Sequence, residues 1–161
     1  MNRERWVGLA VILLVIGGFL FLRNRNSLQL TDEMGSTDQL VSEFAEEMGV
    51  VLPDDVEKAT LEDISGGSSK GLATRKFTEG TFTHSVLAAL PDPETGSWYE
   101  GWLVRENPFD VIYTGKLRQA KGGWVLDFVS VEDLQDHQQV VVTLEKVEDG
   151  KPESHILEGA F

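Results

Sequence analysis

The spacing of hydrophobic positions changes twice along this chain. From Trp6 to Leu22 the sequence WVGLAVILLVIGGFLFL carries no charged or strongly polar side chain. At about 1.5 Å per residue this run spans roughly 25 Å as a helix. That is slightly less than a hydrocarbon core of about 30 Å, and flanking arginines can snorkel to close the gap. Trp6 sits where an interfacial aromatic would. The run predicts one transmembrane helix over 6–22, with 1–5 as a cytoplasmic tail. A cleaved signal peptide would need small residues before a cut site, and the following LFLRNRNSLQL offers none, so the segment reads as an uncleaved signal anchor. Arg3 and Arg5 precede it and Arg23 and Arg25 follow, which nearly balances the positive-inside rule. A short basic start before an apolar run is how an export signal begins. The expected localisation is therefore the cell membrane, single-pass, with the C-terminal domain extracytoplasmic.

A period near 3.6 follows. Leu40, Phe44 and Met48 recur at helical spacing, with Val41 and Ala45 beside them. Ser36-Thr37-Asp38-Gln39 resembles a capping box, and Gly49 is a suitable stop. The pattern predicts a short helix over 37–48 inside an acidic linker, 23–54. Glu43, Glu46 and Glu47 lie off the apolar stripe, so the helix is expected to pack on its own domain or on a partner rather than on an anionic bilayer.

From Asp55 the period becomes 2. Val56 to Ile64 alternates and ends in Ser65-Gly66-Gly67-Ser68-Ser69. Gly71 to Thr78 and Thr81 to Leu90 are two further runs, and the Glu79-Gly80 break between them predicts a hairpin. Trp98 to Arg105 makes a fourth strand after a Pro-rich loop, with Trp98, Trp102 and Val104 on one face. Val111, Tyr113 and Leu117 mark a fifth, and Trp124, Leu126 and Phe128 a sixth. Val140, Val142 and Leu144 mark a seventh, and Ile156 to Phe161 an eighth. Short strands separated by Gly and Pro point to an all-β domain over 55–161, an antiparallel immunoglobulin-like β-sandwich, with a closed barrel as the alternative.

Charge narrows the partners. The chain has 27 acidic against 14 basic residues, a net charge of −13. Without Arg3, Glu4, Arg5, Arg23 and Arg25 the remainder holds 26 acidic against 10 basic residues, a net of −16. Such a surface repels phosphate backbones, which excludes nucleic acid. There is no cysteine, so disulfides, thiolate metal sites and thiol catalysis are excluded. The three histidines, His84, His137 and His155, show no metal-ligand spacing. His84 alternates with Phe82 and Val86 and reads as a core histidine. Ser85 beside it faces the other way and makes no triad. Asp127, Glu132, Asp133 and Asp136 lack an EF-hand pattern, and Asp92 with Glu94 lies in an exposed loop with nothing to raise a pKa. No metal, cofactor or catalytic residue is expected. Trp98, Tyr99 and Trp102 form the densest aromatic group. Packing is the ordinary role for such a group, and an exposed fraction of it would be the candidate ligand-binding site.

An ordered set of short signatures runs from Thr81 to Phe161. Leu90-Pro91 is followed by Gly96 and Tyr99-Glu100-Gly101-Trp102-Leu103-Val104. Thr114-Gly115-Lys116-Leu117 and Val141-Val142-Thr143-Leu144-Glu145 come next, then Pro152 and Leu157-Glu158-Gly159. This half of the chain resembles the C-terminal extracytoplasmic domain of anti-sigma-K factors. The resemblance implies a membrane-tethered β-sandwich behind one transmembrane helix. The family places a cytoplasmic sigma-binding domain before that helix, whereas only Met1 to Arg5 precede Trp6 here. Any binding of a sigma factor is therefore expected to fall to another polypeptide.

These observations converge on a non-enzymatic, envelope-anchored binding or sensing module, whose partner would be an envelope protein, a peptide or a glycan. The alternatives are a subunit of a transmembrane anti-sigma-type signalling system and, third, an envelope metal-binding protein or enzyme.

Overall fold

The computed structural model describes residues 34–120 and 122–161, with side chains from Gln39 onward. The expected tail and anchor, 1–5 and 6–22, lie outside these residues. Among the described residues no helix is long and apolar enough to cross a membrane.

Helix α1 runs from Met34 to Glu47. It starts before the expected Thr37, so Ser36 lies inside the helix rather than ahead of it. Its end matches the reading closely. Val50 N donates to Ala45 O and Gly49 N to Glu46 O, the paired bonds of a Schellman stop. Val41, Ala45 and Met48 are buried, while Leu40 remains exposed. The apolar stripe therefore packs on the chain's own domain, where Met48 lies against Gly122 and Gly123.

Nine strands follow: β1 Glu57–Asp63, β2 Lys70–Thr78, β3 Thr81–Ala89, β4 Trp98–Arg105, β5 Asp110–Lys116, β6 Arg118–Ala120, β7 Gly123–Ser130, β8 Gln139–Glu145 and β9 Ser154–Ala160. Eight match the predicted runs. The additional β6 is three residues long, too short for a period to register. In the β2–β3 hairpin, Glu79 and Gly80 both have positive φ, 50° and 74°. This is the twist-matched two-residue turn that a glycine at the second position makes accessible.

The immunoglobulin-like sandwich is not what forms. All strands join one antiparallel sheet in the order β5-β4-β8-β9-β1-β2-β3-β7-β6, and β5 at one edge lies against β7 near the other. The sheet curls into a nearly closed barrel. Local sequence features explain the curl. Register shifts fall at Gly101/Trp102 in the β4–β5 ladder and at Val142/Thr143 in the β8–β9 ladder, and such bulges bend strands and increase twist. Gly159 lets β9 press against β1, since a Cβ there would lie 2.2 Å from Thr60 O.

Ala59, Leu61, Ala73, Phe82, Val86, Tyr99, Leu103, Leu126, Val140, Val142 and Leu157 fill the interior, one from every second position. One barrel end is polar. Arg75 and His84 are paired across β2 and β3 and are both buried. Arg75 donates to Glu57 Oε2 from Nε and Nη2 (2.9 and 2.7 Å), and from Nη1 to the carbonyls of Gln135 and His137 (2.9 and 3.1 Å). Its guanidinium lies 4.2 Å from the centroid of the Phe161 ring. The loop after β7 and the C-terminal Phe161 thus close this end around one cation.

His84 is 1% exposed. Its Nδ1 lies 3.0 Å from Thr74 O, and its Nε2 has no partner. Burial pushes the imidazole down to about 4; the bond to Thr74 opposes the shift and Arg75 adds to it. The unfolded chain therefore takes up a proton near pH 6.5 that the folded chain refuses until about pH 4. Stability falls as pH drops through that window, by roughly 1.5 kcal/mol between pH 6.5 and 5. Urea unfolding at several pH values should show this slope, and it should flatten in His84→Gln. An unchanged slope in the variant would assign it to other groups. Asp63 does not confound the window. Burial raises it, but hydrogen bonds from Ser65, Ser69 and Gly67 hold it at about 2, so its contribution is lost only at lower pH.

Candidate functional site

Strand β4 is buried along both faces. Tyr99, Gly101 and Leu103 point inward, so Trp98, Glu100, Trp102 and Val104 face outward. The sequence-predicted trio is thereby divided. Tyr99 is 3% exposed inside the barrel, packs edge-on to Trp124 at 5.3 Å, and donates to Pro91 O at 3.1 Å. Trp102 is on the outer face yet only 2% exposed, because its ring lies against Tyr113 at 5.1 Å and its Nε1 donates to Thr143 Oγ1 at 2.8 Å. Trp98 alone of the three is half-buried.

Around Trp98 the sheet gathers residues distant in sequence. Trp98 pairs with Glu145 of β8, and Glu100 with Lys116 of β5. Trp98 Nε1 donates to Glu100 Oε1 at 2.7 Å, with Tyr113 Oη at 3.5 Å from the same oxygen. Lys116 Nζ sits 4.2 Å from the centroid of the Trp98 ring and 3.0 Å from Glu148 Oε1. Glu145 is fully buried; its Oε1 accepts from Glu153 N at 3.0 Å, and its Oε2 has no partner.

The electrostatics follow from this crowding. Burial raises the Glu145 carboxyl above its usual range, opposed by bonds from Thr143 and Glu153 N and reinforced by the charges of Glu100 and Glu153. Burial also raises the Tyr113 hydroxyl, with Glu100, Glu148 and Glu145 adding to the effect. Glu100 and Glu148 therefore flank an aromatic floor on which one ammonium rests, and Glu145 is buried across from Trp98 on β8. The arrangement suits recognition of a cation, since ring faces and carboxylates attract the same charge. Sequence reasoning missed Glu100, Lys116, Glu145, Glu148 and Glu153, because no local spacing links them.

The other titratable residues have separate partners. His137 is 1% exposed, with Nδ1 2.8 Å from Asp136 and Nε2 3.2 Å from Asp110. Arg105 ties the same two carboxylates, at 2.5 and 3.2 Å. His155 Nδ1 lies 2.6 Å from Glu158. Asp127 meets Arg118 and Ser85, and Asp133 caps Gln135 N. Among the described residues no three His, Asp or Glu side chains converge as a metal site would require.

The family model described as anti-sigma-K factor rskA, C-terminal, matches residues 6–156. The chain belongs to that family. The match starts at Trp6, far ahead of the Thr81 at which the short signatures begin, and so takes in the apolar run, α1 and nearly the whole barrel. It ends at residue 156, so Leu157-Glu158-Gly159 lies just beyond it. No matching relative was found among curated proteins, and none among solved structures. An anti-sigma factor family is regulatory and non-enzymatic, and it implies protein partners in signalling. In this anti-sigma-K-type domain the outer face of β4, β5 and β8 is the place where an aromatic floor and clustered charge coincide.

Proposed function

We propose that this chain is a single-pass, membrane-anchored regulatory module whose barrel lies outside the cytoplasmic membrane and binds a protein partner there, on behalf of an anti-sigma-type signalling system. The observation that carries this reading is the family match, which covers both the apolar run from Trp6 and most of the barrel. Three features support it. The apolar run has the composition of an anchor. The acidic surface disfavours anionic headgroups and nucleic acid. The ledge around Trp98 and Tyr113 is partly open, with Trp98 half-buried and Tyr113 exposed.

Topology tests the reading. Protease added to intact spheroplasts should remove the barrel and leave an N-terminal tag protected. Full protection of the barrel until the membrane is permeabilised would overturn the placement. With the topology confirmed, cross-linking in living cells should recover a protein joined to the barrel.

A further inference from the structure

We propose that the patch formed by Trp98, Glu100, Tyr113, Glu145 and Glu148 binds the ammonium group of a lysine side chain on the protein partner. The inference rests on the reading above that the barrel is a binding module, and it names the chemistry of the contact.

The patch already holds such a group. Lys116 Nζ lies over the Trp98 ring and against Glu148, in the position a cation takes on an indole face. One lysine does not balance the charge. Glu100 and Glu153 both act on the Glu145 carboxyl, and Glu148 joins Glu100 and Glu145 in acting on Tyr113. The Glu145 Oε2 is buried without a hydrogen-bond partner, an arrangement that costs free energy unless something repays it. An incoming ammonium has three donors, enough for two carboxylates while it rests on a ring. The floor is accessible, since Trp98 is half-buried and Tyr113 is 45% exposed. Lys116 is itself 42% exposed along its side chain and its partner Glu148 is 76% exposed, so a second lysine can displace this pair from the indole. Lys116 therefore acts as an internal competitor. The match to a compact ammonium, rather than a planar guanidinium, follows from the group the patch already seats.

The probe is an acetylated and amidated (Gly-Lys)4 peptide, titrated calorimetrically into the full chain in a non-ionic maltoside detergent. Detergents with quaternary ammonium headgroups are avoided because they would compete. The same peptide with every lysine acetylated should not bind. Glu100→Gln with Glu145→Gln should weaken binding about tenfold or more. Glu62→Gln with Glu132→Gln removes equal charge elsewhere and should weaken it less than about twofold, the size of a surface charge effect. Lys116→Met should bind the peptide several-fold more tightly, a gain that loss of folding cannot produce. Three results would overturn the proposal: equal losses in the two double variants, equal binding of the acetylated peptide, or no gain in Lys116→Met. Each would leave the spheroplast topology result untouched, so failure of this site and failure of the anchored-module reading are separable.

Discussion

Trp102→Ala should lower the unfolding free energy by about 3–5 kcal/mol, the usual range for truncating a buried aromatic. The ring is 2% exposed although it sits on the outer face of the barrel. Two losses combine. Removing the indole opens a void beside Tyr113, and Thr143 Oγ1 loses its donor while the residue itself stays fully buried. Chemical denaturation of the wild type and the variant measures the difference. A change below about 1 kcal/mol would mean that Trp102 contributes little to stability and would return it to the list of ligand contacts. Trp102→Phe should cost less, since it keeps most of the ring area and loses only the hydrogen bond.

Arg75→Met should cost about 3 kcal/mol, through unsatisfied polar groups more than through lost packing. Methionine fills a similar length of the barrel end but has no donors. The carbonyls of Gln135 and His137 would lose their partner, and Glu57 would lose both of its bonds from the guanidinium. Glu57 is 49% exposed, so water relieves part of that loss, and the cost stays below that of breaking a wholly buried ion pair. Glu57→Gln should therefore cost only about 1 kcal/mol, because it retains an acceptor at a half-exposed position. Urea unfolding gives both values. Hydrogen exchange should also rise in the loop over 131–138, which Arg75 holds to the barrel. A cost below about 1 kcal/mol for Arg75→Met, with that loop's protection unchanged, would show that Phe161 and Leu134 close the end without the cation.

Much of the architecture was legible from local pattern. Eight of the strands follow the period-2 runs, and α1 ends where Gly49 predicted. The Glu79-Gly80 hairpin follows from two residues alone, because few backbone shapes fit a two-residue reversal. Periodicity reports which face of an element is apolar, and that is a local quantity. The start of α1 was less legible: helix ends are weakly determined, and a capping signature inside a sequence does not forbid an earlier first turn. The candidate site was harder to read. Trp98, Tyr99 and Trp102 stood out as aromatics, but adjacent strand residues point to opposite faces, so Tyr99 and Trp102 could not share a surface. Which of them faced the core depended on how the sheet curled.

By itself, then, the sequence determined the family, the order and extents of nearly all strands, the apolar stripe of the helix and the acidic balance. These depend on neighbours a few residues apart, where side-chain spacing and turn chemistry act directly. The tertiary structure decided between sandwich and barrel, because closure depends on whether β5 reaches β7, a contact between edges that no local pattern encodes. It also decided that Arg75 enters the barrel end, that His137 lies between Asp110 and Asp136, and that Glu145 of β8 comes opposite Trp98 of β4, two residues from Glu100. Those juxtapositions come from strand register. Register is set by the burial of whole faces and by bulges acting together, so the residues that assemble the cation-binding patch carry no mark of it one at a time.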